Sequence, residues 1–137
     1  MSATIRELKP DIFRKIQLLD KIDKESFLKS INLEDNIDSI FESGEGSGKS
    51  GSFFFFTKDK KYVIKTLRYD EKETLLEMID DLYEHYKSTN NMSLITRIYG
   101  LFSIKTNFFD VVNIHTVLTC TRYINICTIL QCKSKTL

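Results

Sequence analysis

The sequence predicts an α+β fold in which an antiparallel sheet is packed with helices. Helical periodicity near the N-terminus, a β-hairpin in the middle of the chain and one long amphipathic helix inserted before two further strands indicate this class. The 137 residues are enough for one domain, and 42% hydrophobic with 28% charged residues is typical of a globular chain. The predicted order is helix, helix, strand, glycine loop, strand, strand, helix, strand, strand.

Three helices are predicted from apolar periodicity. The first begins at Pro10, which suits a first helical turn, and the second follows Asp23, a candidate N-cap. The third covers Asp70 to Tyr86 and has acidic residues on its remaining faces. The first helix has Ile12, Phe13, Ile16 and Leu19 on one apolar face, the second carries Phe27, Leu28 and Ile31, and the third repeats Leu75, Ile79, Leu82 and Tyr86 at helical spacing.

The predicted strands are β-prone runs bounded by polar or glycine-rich segments. The runs Phe53–Thr57 and Tyr62–Leu67 are joined by four charged residues and therefore form a hairpin. Alternation along the second of these strands puts Lys65 on the same face as Val63 and Leu67. The other predicted strands are Ile37–Phe41, Ile95–Ile104 and Phe108–Leu118.

Charge and composition give no general reason to expect a nucleic-acid partner, because 20 basic and 19 acidic residues leave a net charge of +1. Residues 1–9 are polar, so we expect no signal peptide. The most apolar long window, Val111–Leu130, contains Arg122 and His115 and is not expected to span a membrane.

Cysteine and histidine spacing predicts no metal site. The spacings of Cys120, Cys127 and Cys132 match no zinc pattern, so free thiols in a reducing compartment are expected. Neither His85 nor His115 has a partner ligand at metal-binding spacing.

A cluster of glycines fits the spacing G-x-G-x-x-G at Gly46–Gly51. Such a loop either cradles phosphates with its backbone N–H groups or is a flexible surface loop, and the spacing alone leaves both open. A dinucleotide fold is not indicated, because a strand rather than a helix follows the glycines. A Walker A loop is not indicated either, since Ser43 stands where that motif needs Gly or Ala and no helix is predicted to begin at Lys49.

A kinase-type site fits the order of elements better. Such a site needs a glycine loop, a strand with a Lys that neutralises ATP phosphates, and a helix with a Glu that holds the Lys. Lys65 follows the glycines, and Glu71, Glu73 and Glu77 lie on the next helix. The competing interpretation is a solvated edge-strand lysine that blunts the end of a sheet.

Several segments together resemble the phosphatidylinositol phosphate kinase family, over roughly Leu8 to Val112. The resemblance implies that the chain folds as the N-terminal lobe of a lipid-kinase-like domain, with two leading helices, an antiparallel sheet and one inserted helix. The matching motifs are PDIFRKI at Pro10–Ile16, SGKSGSFFFFT at Ser47–Thr57, YVIKTL at Tyr62–Leu67, the spaced Glu and Leu residues of Glu71–Met78, and RIYGLFSI at Arg97–Ile104.

The resemblance also implies an activity and a set of ATP-binding residues. The family transfers the γ-phosphoryl group of ATP to the inositol ring of a phosphatidylinositol monophosphate, here most like the 4-phosphate 5-kinase type, and needs Mg²⁺. Lys65 resembles the ATP-phosphate lysine, with Glu71 as its expected partner and Glu73 as the alternative. The residues of the similar glycine-rich loop are Gly46, Gly48, Lys49, Ser50, Gly51 and Ser52.

The sequence also departs from the family pattern. The family's catalytic loop, magnesium-binding Asp and activation loop have no counterpart here, so residues 1–118 are expected to form the N-terminal part of the kinase domain and 119–137 a divergent or truncated tail. We therefore expect no catalytic or metal-binding residue in the chain and no activity from it alone. The alternative function is a non-catalytic fragment that binds nucleotide or pairs with a kinase N-lobe.

The same resemblance implies partners and a location. ATP and a phosphatidylinositol monophosphate at a membrane surface are the expected partners, and a homodimer through this lobe is a further expectation. The resemblance implies a cytoplasmic protein that is peripheral at the membrane. The basic residues Lys58, Lys60, Lys61 and Arg68 are either headgroup contacts or a solvated turn.

Overall fold

The fold is a five-stranded antiparallel sheet with helices packed against it, which confirms the predicted α+β class. The computed structural model describes residues 3–32, 34–36, 38, 54–90, 92–106 and 112–120. The strands lie in the order β1-β4-β5-β3-β2. The elements are β1 (Ala3–Glu7), α1 (Pro10–Leu19), α2 (Lys24–Ser30), β2 (Phe54–Phe56), β3 (Tyr62–Leu67), α3 (Tyr69–Ser88), β4 (Ile98–Thr106) and β5 (Val112–Cys120).

The three predicted helices are confirmed, including two of their start signals. Pro10 is the first residue of α1, and the Asp23 side chain accepts a hydrogen bond from the Ser26 backbone N–H at 2.8 Å before α2. The helix α3 is longer than predicted by one residue at its start and two at its end. Its buried face is the predicted one, formed by Leu75, Ile79, Leu82 and Tyr86.

The predicted hairpin is also confirmed, since β2 and β3 pair in antiparallel fashion. The strand expected from Ile95 begins only at Ile98, and Ile95 is 46% exposed, so its apolar side chain does not mark a buried strand position. The last strand is described over Val112–Cys120 and ends two residues after the predicted end at Leu118, whereas residues 108–111 of the prediction lie outside the described part of the chain. The strand β1 was not predicted, because its sequence has no apolar face that periodicity can detect.

The prediction of a strand over Ile37–Phe41 is wrong at Asp38, because this residue is helical. Residues 34–36, just before it, are helical as well. The side-chain amide of Asn36 donates to the backbone carbonyls of Ser30 and Asn32 at 2.9 and 2.6 Å. Such local side-chain to backbone bonds favour a compact turn over an extended strand. The other residues of this predicted strand lie outside the described part of the chain.

The core lies between α1, α3 and the sheet. Phe13, Ile16, Ile79 and Leu101 are fully buried there. Tyr62 packs edge-on against Phe27 and Tyr99, which joins α2 to β3 and β4. Within the described residues, no helix is both long and apolar enough to cross a membrane.

A buried ion pair joins the turn after α1 to the start of β4. Arg97 is 1% exposed, and its Nε lies 3.3 Å from Oδ2 of Asp20. The Tyr99 hydroxyl donates to the same oxygen at 2.7 Å. The guanidinium carbon of Arg97 lies 4.1 Å from the centre of the Tyr86 ring, and burial raises the pKa of Tyr86 to about 12.

Candidate nucleotide site

Lys65 lies in the interior of the sheet rather than at its edge. It pairs with Phe54 of β2 on one side and with Val117 of β5 on the other. The interpretation of Lys65 as an edge-strand lysine is therefore wrong. An interior strand fixes the backbone on both sides, so the direction of the Lys65 side chain is set by the sheet.

The Lys65 side chain is half exposed and reaches the first turn of the next helix. Its side chain is 43% exposed, whereas Val63 on the same strand is buried. The Lys65 Nζ lies 3.8 Å from Oε1 of Glu71, whose side chain is 28% exposed. The expected ion pair between Lys65 and Glu71 is thus present in the fold, and the Lys65 side chain remains partly exposed to solvent.

The start of α3 explains why Glu71 is the partner. Only Arg68 separates the end of β3 from α3, and Glu71 is the third residue of that helix. Oε2 of Glu71 accepts a hydrogen bond from the Arg68 backbone N–H at 2.9 Å, as in the acidic half of a capping box. This bond holds one carboxylate oxygen at the helix start and leaves the other directed at Lys65.

The alternative partner, Glu73, is engaged elsewhere. Its Oε1 lies 2.7 Å from Nζ of Lys72. The Lys72 ammonium also lies 4.3 Å from the centre of the Tyr69 ring. Of the two candidate glutamates, Glu71 is therefore the one that lies within ion-pair distance of Lys65.

A second cation lies beside this pair and was not assigned to it from the sequence. The Nη2 of Arg68 lies 4.0 Å from Oε1 of Glu71. The same guanidinium binds Asp70 through two hydrogen bonds, Nε to Oδ1 at 3.0 Å and Nη2 to Oδ2 at 3.1 Å. The Arg68 hydrogen bond lowers the pKa of the Asp70 carboxyl, and its bond to Asp70 raises the pKa of Arg68. The Arg-x-Asp spacing at a helix start is the only sequence signal of this arrangement.

The predicted glycine-loop residues lie outside the described part of the chain. The segment that contains them enters β2, whose Phe54 is the register partner of Lys65. Along the sequence, these residues come shortly before the strand that pairs with Lys65. The residues of the loop stay a prediction, and they are Gly46, Gly48, Lys49, Ser50, Gly51 and Ser52.

Among the described residues, no group of three or more His, Cys, Asp or Glu side chains could hold a metal ion. His85 contacts a hydroxyl instead, with its Nε2 2.7 Å from Oγ of Ser93.

Most of the chain is similar in sequence to known proteins. Residues 36–126 match the family described as Phosphatidylinositol-4-phosphate 5-Kinase. Phosphatidylinositol 4-phosphate 5-kinase its3 of Schizosaccharomyces pombe is 35% identical over 103 residues, which are 75% of this chain and 13% of that protein. Phosphatidylinositol 4-phosphate 5-kinase 9 of Arabidopsis thaliana is 38% identical over 96 residues, 70% of this chain and 11% of that protein. A probable phosphatidylinositol phosphate kinase of Dictyostelium discoideum is 37% identical over 97 residues, 70% of this chain and 13% of that protein. The chain thus spans a small part of each relative.

Proposed function

Because this chain belongs to the phosphatidylinositol-4-phosphate 5-kinase family, we propose that it supplies the phosphate-binding part of the ATP site in a phosphatidylinositol phosphate kinase. The reaction would transfer the γ-phosphoryl group of ATP to a ring hydroxyl of a phosphatidylinositol monophosphate. The observation that carries the proposal is the ion pair between Lys65 and Glu71, at 3.8 Å, on the strand and helix where a kinase places its phosphate lysine and the partner glutamate.

In this proposal Lys65 neutralises negative charge on the nucleotide phosphates. Its ammonium is a compact charge on a flexible stem, and its exposure leaves room for phosphate oxygens. Glu71 restricts the ammonium to one side of the strand, so less conformational freedom is lost when ATP binds. Catalysis in this reaction class depends on positioning and charge stabilisation, and these two residues supply part of both.

The family resemblance implies a magnesium ion, which would neutralise further phosphate charge when bound. The described residues hold no cluster of three or more His, Cys, Asp or Glu side chains for it. We therefore assign no step to the metal from this part of the chain. A catalytic base is likewise not assigned to a residue here.

The lipid substrate also sets where the reaction takes place. A phosphatidylinositol monophosphate is met at a membrane surface, so the protein would act in the cytoplasm as a peripheral enzyme. The exposed residues Lys58, Lys60 and Lys61 in the β2–β3 turn would face anionic headgroups. A homodimer is part of the same proposal, since β1 and β2 are the outer strands of the described sheet, where a second copy would pair.

The first experiment measures ATP affinity of the 137-residue polypeptide by titration calorimetry. Lys65→Met removes the charge and keeps the length of the side chain, and we expect it to weaken ATP binding about tenfold, as for the loss of one charge-assisted hydrogen bond. Lys58→Met, in the turn of the same hairpin, is the matched control and should change the affinity less than about twofold. Equal affinities of wild type and Lys65→Met, at equal unfolding free energies, contradict the assignment.

The second experiment tests the lipid reaction. Residues 36–126 replace the matching segment of the Schizosaccharomyces pombe relative, and transfer from radiolabelled ATP to vesicles containing phosphatidylinositol 4-phosphate is measured. We expect product from the chimera and its loss in Lys65→Met, with Lys87→Met, in the last turn of α3, retaining activity. A chimera that folds and remains active without Lys65 refutes the proposed role of this lysine.

A further inference from the structure

One carboxylate oxygen of Glu71 lies between two competing cations. Oε1 is 3.8 Å from Nζ of Lys65 and 4.0 Å from Nη2 of Arg68. Both distances are about 1 Å longer than a charge-assisted hydrogen bond. Neither cation therefore forms a short hydrogen bond to this oxygen. A small movement of the Lys65 or Arg68 side chain would determine which of the two binds it.

Of the two cations, Arg68 is the one that we expect to bind Glu71 more readily. Its backbone N–H already donates to Oε2 of the same carboxylate at 2.9 Å, so the two residues are held together. A guanidinium also offers several fixed donors to a carboxylate, whereas a lysine offers one compact ammonium. Without a restraint, we expect the guanidinium of Arg68 to take Oε1 in preference to Lys65.

Asp70 provides that restraint. Both of its carboxylate oxygens accept from Arg68, from Nε at 3.0 Å and from Nη2 at 3.1 Å. The second of these donors is the atom that lies 4.0 Å from Glu71. Asp70 therefore binds two of the five guanidinium donors of Arg68, including one on the nitrogen that lies nearest to Glu71.

We propose that Asp70 is a positioning residue that holds Arg68 away from Glu71 and so keeps Glu71 paired with Lys65. The proposal deepens the proposed function and rests on it only for the consequence that the lysine is kept ready for ATP phosphates. The competition among the four side chains is a property of the protein without nucleotide. It can therefore be tested separately from ATP binding.

The experiment measures the rate at which Lys65 is acetylated by trace acetic anhydride in the 137-residue polypeptide, read by mass spectrometry with Lys58 as internal reference. An ammonium held by a carboxylate reacts slowly, because it must leave the pair and lose its proton first. We expect Asp70→Asn to raise the rate at Lys65 about threefold, the range of an exposed ion pair. Arg68→Gln alone should leave the rate at or below that of wild type.

The double variant Arg68→Gln with Asp70→Asn distinguishes competition from a merely structural role. If Asp70 acts by holding Arg68, removal of both restores the wild-type rate at Lys65. If Asp70 only stabilises the start of α3 through the helix dipole, the double variant stays as reactive as Asp70→Asn. Asp81→Asn, at another exposed aspartate of α3, should leave the rate unchanged.

Two outcomes overturn the inference: an unchanged rate in Asp70→Asn, or a double variant that is not restored. ATP added to the wild type tests the proposed function in the same assay, since bound phosphates should protect Lys65. If ATP gives no protection while the variants behave as expected, the ATP assignment fails and the positioning role of Asp70 stands. If ATP protects Lys65 and the variants react at the same rate as the wild type, the ATP assignment stands and the positioning role of Asp70 fails.

Discussion

The ion pair of Arg97 with Asp20 and the ion pair of Lys65 with Glu71 differ in their surroundings. In the pair of Arg97 and Asp20 the side chains are 1% and 15% exposed, whereas in the pair of Lys65 and Glu71 they are 43% and 28% exposed. Arg97 also lies against the Tyr86 ring, and Asp20 accepts a further bond from Tyr99. The buried pair is enclosed by protein partners on several sides, and the exposed pair is open to solvent on one.

This difference fits a structural role for the pair of Arg97 and Asp20 and the proposed nucleotide-binding role for the pair of Lys65 and Glu71. Removing one partner of a buried pair leaves an uncompensated charge in the interior, which is strongly destabilising. An exposed pair contributes little to stability, because water and salt screen it. Lys65 is therefore free to change partner when an anion arrives, at a small cost to the fold, and Arg97 is not.

The largest expected effect comes from breaking the buried pair. Arg97→Met should lower the free energy of unfolding by about 3 to 5 kcal/mol, because Asp20 loses its charged partner in a nearly buried position. Urea unfolding followed by circular dichroism measures this change. Lys65→Met is the control at the exposed pair and should lower the unfolding free energy by less than about 1 kcal/mol. A similar loss in both variants would contradict the distinction between the pairs.

The next effect is a pH dependence at the buried site. Burial raises the pKa of Tyr86 to about 12 from its ordinary value of 10.0. The protonated form is thus favoured in the folded state, and its contribution to stability is complete below pH 10 and is lost as pH rises toward 12. The expected loss is about 2 to 3 kcal/mol.

Unfolding free energies at pH 9 to 12 test this prediction. Tyr86→Phe should remove that part of the pH dependence, although it also loses the hydrogen bond to the Thr96 carbonyl and starts from a lower stability. Tyr69→Phe, at a tyrosine that is 69% exposed, serves as the control and should keep the wild-type profile. Parallel profiles in wild type and Tyr86→Phe would refute the assignment.

The smallest expected effect tests whether Glu71 is the partner of Lys65 in the exposed pair. Glu71→Gln should weaken ATP binding about threefold, less than Lys65→Met, because the lysine can still reach phosphate without its partner. Glu73→Gln is the matched control, since Glu73 pairs with Lys72, and it should leave the affinity unchanged. Calorimetric titration of the three variants gives the ranking. A silent Glu71→Gln with a damaging Glu73→Gln would mean that the partner has been assigned to the wrong residue.

Local patterns in the sequence predicted much of the fold and part of the candidate site. Helical periodicity gave α1, α2 and the buried face of α3, and a polar turn between two β-prone runs gave the hairpin that carries Lys65. The pairing of Lys65 with Glu71 could be anticipated because only a few residues separate them at a strand-to-helix junction. Which glutamate faces the strand depends on the helix start, which the capping bond of Glu71 to the Arg68 N–H fixes.

Features that depend on distant parts of the chain could not be predicted in this way. The buried pair joins Asp20 to Arg97, and nothing in the sequence around either residue marks it as buried. The edge strand β1 has an exposed Ile5 and mostly polar neighbours, so its strand conformation comes from pairing with β4 rather than from its own pattern. The helical segment at residues 34–36 similarly depends on the hydrogen bonds of Asn36, which only the folded structure reveals.

The pairing of β1 with β4 has a consequence for how the protein folds. Ala3 lies opposite Thr106, so β1 is bonded to a strand that comes about 100 residues later in the sequence. Closing so long a loop is slow compared with forming the β2–β3 hairpin, which needs only local contacts. Until β1 arrives, the outer side of β4 has unpaired backbone groups that can pair with another chain. Expression and refolding yields should therefore depend on the N-terminal residues, and a tag placed there would delay closure of the sheet.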